Sequence, residues 1–342
     1  MPLALCASSH SPLIGLHDPA ADIADEVHAQ LAGARAFVEE FDPELVLVFA
    51  PDHYNGFLYE LMPSFCVGAA ATSVGDYGLP KGPLPVDRDA AYALARHALE
   101  SGVDVALSEA MQVDHGFVQP LLFLFGSVEK LPPLVPVFIN CVAEPLGPAS
   151  RARLLGEAAG RALAESGKRV LIVGSGGLSH DPPVPRMESA TPEVAERITH
   201  GRNPTAEQRR VRESRTVAAA GEFASGSTDF HDLNPEFDAF VLDAFESGDT
   251  TAFDERSTDW FVEEGGHSAH EIRTWIAAYG ALSTQGDYEM TRRYYRPIKE
   301  WFAGFAVTTA LPKATALPKA TALPKATALP KATAQPKELA AQ

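Results

Sequence analysis

Two histidines follow two separate apolar runs near the start of the chain. His10 comes after the run at residues 3–7, and His53 comes shortly after the run at residues 45–50. If both runs are parallel strands of an α/β sheet, their carboxyl ends meet in the crevice where such sheets bind ligands. The two imidazoles could then converge on one metal ion. With one carboxylate they would form the ligand face that leaves positions open on Fe(II).

Two further histidines stand in comparable positions. His115 directly follows Asp114, and His180 follows a glycine-rich turn after the apolar run at 169–174. Histidine is the usual side chain for proton transfer near neutral pH. One such residue alone is most simply a hydrogen-bonded structural histidine. Four histidines at the ends of strands or in loops favour a single shared site.

The turn Gly174-Ser175-Gly176-Gly177 partly matches a dinucleotide-binding fingerprint. Ser179 stands in place of the third glycine of that fingerprint, and Asp181-Pro182-Pro183 follows where the phosphate-binding helix would begin. We therefore interpret the glycines as a tight turn that brings His180 close to a ligand.

Glu271 is the candidate for the carboxylate of the metal face. It lies in the first turn of a predicted helix, where an inward-pointing side chain could reach the sheet edge. Ser268-x-x-Glu271 equally matches a capping box, in which the carboxylate bonds back to the Ser268 backbone. On the residues alone the two interpretations are equal. A His-Glu-x-x-His zinc motif is excluded because Thr274 replaces the second histidine.

Strand-like and helical segments alternate along most of the chain. Strands are predicted at 3–7, 45–50, 134–140 and 169–174, and helices near 19–40, 88–101, 149–166, 206–222 and 269–283. This alternation indicates an α/β fold with a central mixed or mostly parallel sheet flanked by helices. The polar segment from about 181 to 266 is predicted to form helical excursions over the site.

One domain is predicted for residues 1–307, because no linker interrupts them. From about Ala310 the sequence repeats Ala-Leu-Pro-Lys-Ala-Thr. A proline in every repeat prevents a continuous helix, and one leucine per repeat is too little for a core. We therefore predict a disordered tail over residues 308–342.

The formal net charge of −17 argues against nucleic acid or an anionic membrane as the main partner. Three cysteines without paired spacing are typical of a reducing compartment. The first basic residue is Arg35, so no signal peptide is recognised, and the apolar runs are too short to span a bilayer. We therefore expect a cytoplasmic protein.

Taken together, the motifs resemble the class III extradiol ring-cleaving dioxygenases. The resemblance extends to about Ala306 and rests on Ser9-His10-Ser11-Pro12, Ala50-Pro51-Asp52-His53-Tyr54-Asn55-Gly56, Gln112-Val113-Asp114-His115-Gly116, Gly174-Ser175-Gly176-Gly177-Leu178-Ser179-His180, His270-Glu271-Ile272 and Tyr294-Tyr295-Arg296-Pro297-Ile298. It implies that His10, His53 and Glu271 ligate Fe(II) and that His115 and His180 form the acid–base pair. In that pair His180 would accept a proton from the substrate and His115 would donate one, with Asp114 orienting His115.

The same resemblance implies cleavage of a catechol by O2 beside its two hydroxyls, within aromatic catabolism. The substrate implied is 2,3-dihydroxyphenylpropionate or 2,3-dihydroxycinnamate, and the product is of the 2-hydroxy-6-oxo-nonadienedioate type. A homo-oligomer is also implied. Candidates for binding the side-chain carboxylate are Arg292, Arg293, Arg296 and Lys299, and candidates for shaping the ring pocket are Tyr54, Asn55 and Phe57.

Three alternatives remain open from the sequence. The first is a related enzyme that cleaves another catechol at the same metal face. The second is a non-catalytic metal-binding protein of the same fold, which predicts loss of one or more of the five site residues. The third is a zinc hydrolase, whose activity would not depend on oxygen.

Overall fold

The computed structural model describes residues 2–227 and 230–313. In chain order its strands are β1 (Leu3–Ser8), β2 (Leu45–Ala50), β3 (Phe65–Gly68), β4 (Ala71–Ser73), β5 (Gly82–Pro83), β6 (Ala106–Ser108), β7 (Met111–Val113), β8 (Leu134–Ile139), β9 (Val170–Ser175), β10 (Tyr288–Ile298) and β11 (Ala303–Pro312). Its helices are α1 (Ala21–Phe41), α2 (Arg88–Glu100), α3 (His115–Phe125), α4 (Ala149–Ala164), α5 (Pro192–His200), α6 (Ala206–Ala224), α7 (Pro235–Ser247), α8 (Thr258–Gly265) and α9 (Ile272–Ser283).

A large mixed sheet forms the centre of the molecule, with the spatial order β10-β11-β1-β9-β2-β8-β3-β6. The inner strands β1, β9, β2 and β8 run parallel to one another. They are fully buried apolar runs, as expected for strands covered on both faces. Antiparallel strands flank this core, since β11 pairs with β1 and β3 pairs with β8. The predicted fold class and the four predicted strands are confirmed.

Helices cover both faces of the sheet. Alternate residues of β1 divide between two apolar cores: Leu5 belongs to the core beneath α4 and α9, and Cys6 to the core beneath α1 and α3. A Cβ at Gly156 would lie 1.9 Å from the carbonyl oxygen of Ala277. The backbones of α4 and α9 therefore pack in direct contact, which fixes the start of α9 at the sheet edge.

All five predicted helices are present, with boundaries shifted by a few residues. The largest shift is at α9, which begins at Ile272 after a short 3₁₀ helix at His267–Glu271. The segment 181–266 contains α5 to α8, which confirms the predicted helical excursions. None of the helices in the described ranges has the length and apolar character needed to cross a bilayer.

The boundary predicted at 307/308 is wrong by about five residues. Strand β11 continues to Pro312 and is buried throughout, paired with β1 on one side and β10 on the other. The first Ala-Leu-Pro of the repeat therefore closes a sheet strand, because the apolar run before it continues unbroken into Ala310 and Leu311. The rest of the predicted tail, residues 314–342, lies outside the described residues.

Candidate functional site

The five candidate residues line one cavity at the carboxyl edge of the parallel strands. His10 follows β1, His53 follows β2 and His180 follows β9, while His115 opens α3 and Glu271 directly precedes α9. The cavity has a volume of about 290 Å³ and is lined by all five side chains. Residues that are far apart in sequence thus meet where the strand topology predicts a binding crevice.

Glu271 lies at the centre of the group. Its Oε1 is 3.1 Å from His53 Nε2 and 3.3 Å from His180 Nε2, and its Oε2 is 3.8 Å from His10 Nε2. The Gly177 N–H donates to Oε2 at 2.9 Å. The capping-box alternative is wrong, because the 3₁₀ helix has no side-chain cap and its carboxylate faces the histidines.

In His10 and in His53 the ring nitrogen that faces away from Glu271 makes a hydrogen bond that fixes the ring. The Ser175 hydroxyl donates to the Gly116 carbonyl at 2.6 Å, so Ser175 Oγ accepts from His10 Nδ1 at 3.0 Å. Asp114 Oδ2 accepts from His53 Nδ1 at 3.1 Å. In both rings Nε2 is therefore the nitrogen that faces the Glu271 carboxylate and that a metal would use.

His10 and Glu271 are held in the forms that bind a metal, whereas His53 holds a proton that a metal would displace. Burial lowers the pKa of His10 to about 3, so its imidazole is neutral at neutral pH. Burial would raise the pKa of Glu271, but His180 and the hydrogen bond from His53 outweigh it and hold that pKa well below its ordinary value. Neutral imidazole and ionised carboxylate are the forms that coordinate metal. Burial would lower the pKa of His53, but Asp114 and Glu271 outweigh it and raise that pKa well above its ordinary value, so a metal at Nε2 would displace a proton. With that proton released, two imidazoles and one carboxylate fit an Fe(II) face chemically.

His115 is oriented by a residue that the sequence analysis did not name. Its Nδ1 lies 2.5 Å from Asp76 Oδ2 but 3.9 Å from Asp114 Oδ2. The expectation that Asp114 orients His115 is wrong, since Asp114 holds His53 instead. The His115 ring stacks on His53, with centroids 4.4 Å apart. His10, His53 and His115 each have a ring nitrogen within 4.8 Å of a ring nitrogen of the other two. By distance alone, these three histidines are therefore an alternative metal-ligand set to His10, His53 and Glu271.

His180 is placed by the glycine-rich turn. A Cβ at Gly177 would lie 2.7 Å from the His180 ring, and one at Gly176 would lie 2.7 Å from the Glu271 carbonyl oxygen. The glycines therefore permit close approach, as the tight-turn interpretation predicts. The Leu178 carbonyl accepts from His180 Nδ1 at 3.0 Å, which leaves Nε2 facing the cavity.

Asp238 anchors the residue before His180. Its two carboxylate oxygens accept from the Ser179 N–H and the Ser179 hydroxyl, both at 2.7 Å, and the Tyr295 hydroxyl also donates to it at 2.7 Å. Burial raises the pKa of Asp238 to about 6. No sequence signal connects Asp238 with His180, because α7 and β9 meet only in the folded chain.

The four basic residues expected to bind a substrate carboxylate do not line the cavity. Arg292 donates to Gln30, Arg293 pairs with Asp243 and Glu246, Arg296 pairs with Glu26, and Lys299 pairs with Asp232. They lie on or beside an edge strand, β10, and contact polar or acidic side chains outside the cavity. That expectation is therefore wrong.

Other side chains form the outer cavity. Tyr54 and Asn55 line it as expected, whereas Phe57 stacks on Phe138 with ring centroids 3.8 Å apart and faces the core. The basic residues that do line it were missed, and they come from α5 and α6: Arg197, Arg209, Arg212 and Arg215. The sequence predicts helices over the site in this segment, but it does not show which of their side chains face the cavity.

Comparison with known proteins identifies the family of this chain. Residues 4–306 match the family described as the catalytic LigB subunit of aromatic ring-opening dioxygenase. The chain belongs to this dioxygenase family. Family membership implies a metal cofactor, O2 and an aromatic substrate for this dioxygenase. The match also shows that the resemblance seen in the motifs extends over residues 4–306.

Curated relatives cover nearly the full length of the domain. A protein of Rhodococcus sp is 59% identical over 91% of this chain and 99% of its own, and one of Rhodococcus jostii is 58% identical over the same shares. A protein of Cupriavidus pinatubonensis is 52% identical over 92% of this chain and all of its own. Each is named 2,3-dihydroxyphenylpropionate/2,3-dihydroxicinnamic acid 1,2-dioxygenase.

Proposed function

We propose that this dioxygenase performs Fe(II)-dependent extradiol cleavage of 2,3-dihydroxyphenylpropionate and 2,3-dihydroxycinnamate. One observation carries the proposal: His10 Nε2, His53 Nε2 and the Glu271 carboxylate face one another in the cavity that also contains His115 and His180. Relatives that carry this activity in their names are 52% to 59% identical to the chain.

The residues that would hold the metal are His10, His53 and Glu271. Bound Fe(II) supplies a Lewis acid with open positions for the catechol oxygens and O2. Two neutral imidazoles and one carboxylate leave a single positive charge on such a centre. This charge favours a catechol that has lost a proton, so the ligand set itself selects the reactive form of the substrate.

His180 is the base in this proposal. Its Nδ1 is committed to the Leu178 carbonyl, so Nε2 is the atom that accepts a proton from a substrate hydroxyl. Burial works against a charged ring, but Glu271 raises the pKa of His180 above its ordinary value.

His115 is the proton donor that assists bond breaking after O2 has reacted. Asp76 fixes its Nδ1, so the opposite nitrogen is the one available to the substrate. A carboxylate at Nδ1 holds the ring in one orientation and one tautomer. General acid–base assistance of this kind contributes about 10²–10⁴-fold to rate.

The apolar part of the cavity wall excludes water from the ring. Leu13, Val184, Ile198 and Phe302 line it together with a run of prolines at 182, 183 and 185. A dry wall strengthens every charge interaction at the site. This apolar wall also suits the flat face of a catechol ring better than it suits a polar substrate.

The decisive experiment loads metal-free protein with Fe(II) without air, then adds O2 and 2,3-dihydroxyphenylpropionate. We expect a yellow ring-fission product with one O2 consumed per substrate. His115→Gln and His180→Gln should each lose most of kcat, while His28→Gln, on α1 away from the cavity, should not. Product from other catechols only would refute the proposed substrate. No O2 uptake by iron-loaded protein with any catechol would refute the proposed function.

We also propose that the reaction takes place in the cytoplasm in an assembly of identical chains. Cys6, Cys66 and Cys141 are all free and buried, which suits a reducing compartment. Sedimentation of purified protein tests the assembly, and a single monomer species would contradict it.

A further inference from the structure

Four arginines form one side of the outer cavity. Arg197 belongs to α5, and Arg209, Arg212 and Arg215 belong to α6. Arg209, Arg212 and Thr216 are spaced by about one helical turn, so they lie along the same face of α6. This is a local concentration of positive charge in a chain whose formal net charge is −17.

These guanidinium groups have no counter-ion within the described residues. For Arg197 and Arg212, burial is the first cause of a lowered pKa, and the neighbouring arginines lower it further. Glu213, the acidic residue on this wall, accepts the Tyr77 N–H at 2.7 Å. By contrast Arg210, on the outer face of α6, pairs with Glu207 at 2.6 Å. Half-buried like charges without an acceptor favour binding of an anion.

The arginine wall is connected to the metal end of the cavity through one side chain. The Tyr77 ring lies 5.1 Å from the His115 ring, and its hydroxyl donates to Thr216 Oγ1 at 3.3 Å. The inner face of α6 is thus separated from the proton-transfer histidine by the breadth of one aromatic ring. A catechol held at the metal ligands could extend a short side chain to this wall.

We propose that Arg197 and Arg212 bind the side-chain carboxylate of the substrate and so set the specificity of the enzyme. The inference rests on the proposed function, because it assumes a catechol that carries a propionate or an unsaturated equivalent. Arginine suits the role since its planar fork matches a carboxylate with paired hydrogen bonds. Arg209 and Arg215 raise the local positive potential that attracts this anion.

The test compares two substrates that differ in the carboxylate. Arg197→Gln and Arg212→Gln are assayed with 2,3-dihydroxyphenylpropionate and with 3-propylcatechol, a neutral catechol with a side chain of the same carbon count. We expect KM for the propionate to rise about 10- to 100-fold with each substitution, because a hydrogen bond to a charged group is lost. KM for 3-propylcatechol should stay unchanged. The matched control Arg210→Gln should alter neither.

A second experiment measures binding of the carboxylate to protein that contains no metal. Calorimetry of metal-free protein with 3-phenylpropionate, which lacks the hydroxyls, should detect binding to the wild type and to Arg210→Gln, and weaker binding to Arg212→Gln. Equal binding by all three proteins would overturn the arginine assignment.

The outcomes separate this inference from the proposed function. If the wild type prefers the propionate and both arginine variants keep that preference, the arginine wall is not the carboxylate site while the proposed substrate stands. If the wild type cleaves 3-propylcatechol but not the propionate, both the arginine assignment and the proposed substrate are wrong. If a variant loses both substrates equally, the arginine maintains the helix position rather than specificity, and the inference is wrong.

Discussion

Replacing Asp114 with asparagine should separate the metal ligands from the proton-transfer residues. Asp114 Oδ2 accepts the His53 backbone N–H at 2.8 Å and His53 Nδ1 at 3.1 Å. Its Oδ1 accepts the Gly116 N–H at 3.0 Å and so caps α3. Asparagine is as good a helix cap as aspartate. Asp114→Asn therefore retains the cap and removes the charge that faces His53.

The magnitude follows from what the charge does. Burial would raise the pKa of Asp114, but His115 and His53 outweigh it and lower that pKa, so the group is a carboxylate at neutral pH. Loss of a group that orients a ligand histidine typically costs about 10- to 100-fold in metal affinity. That range corresponds to about 1.4–2.8 kcal/mol. We expect Asp114→Asn to bind Fe(II) more weakly by this amount.

Asp76→Asn is the matched comparison, because it makes the same chemical change beside His115. If His115 transfers protons and does not ligate metal, this variant should bind Fe(II) normally and lose about 10²-fold in kcat at saturating metal. Both variants are titrated with Fe(II) without air against a competing chelator, and kcat is then measured on fully loaded protein.

Equal weakening of metal affinity in both variants would refute the ligand assignment. It would mean that His115 coordinates the metal, as the grouping of His10, His53 and His115 within 4.8 Å allows. Unchanged affinity in Asp114→Asn would instead show that the orientation of His53 does not limit binding.

Three further predictions follow from close contacts and from one buried acid. Gly177→Ala places a Cβ 2.7 Å from the His180 ring, so kcat should fall while Fe(II) affinity holds, and parallel loss of affinity would contradict this. Gly56→Ala places a Cβ 1.9 Å from the Gln112 carbonyl oxygen, so urea unfolding should reveal a loss of about 1–3 kcal/mol, and wild-type stability would contradict it. Burial raises the pKa of Asp238 to about 6, so its stabilising contribution is present below its unfolded value and is lost as pH rises through about 6. Thermal unfolding between about pH 4 and 7 should show this fall, worth up to about 3 kcal/mol, in the wild type and not in Asp238→Asn.

The centre of the sheet could be predicted from the sequence because its strands are long unbroken apolar runs. Strand β10 could not, since the pairs Arg292-Arg293 and Tyr294-Tyr295 break any alternation of apolar and polar residues along an edge strand that is only partly buried. Strand β3 was missed because it has only four residues. Helix α3 was missed because Pro120 lies inside it. Apolar runs identified the four parallel inner strands, whereas β11, which is equally buried, was missed because its run continues into the proline-containing repeat.

The candidate site divides in the same way. Its histidines could be found because they stand directly after strands, where the topology dictates their meeting. The partners could not, because Asp114 is adjacent to His115 in sequence yet contacts His53, while Asp76 reaches His115 through the small sheet β5-β4-β7. Adjacency in sequence says little about which ring a carboxylate holds.

The position of β1 between β9 and β11 also has a consequence for the order of events during synthesis. The first strand leaves the ribosome long before either neighbour exists, and the last of its site partners, Glu271, comes later than β9. A growing chain therefore lacks one of the three proposed metal ligands until Glu271 has been made. Under the proposed ligand assignment, a metal ion can be fully ligated only after nearly the whole domain has been synthesised.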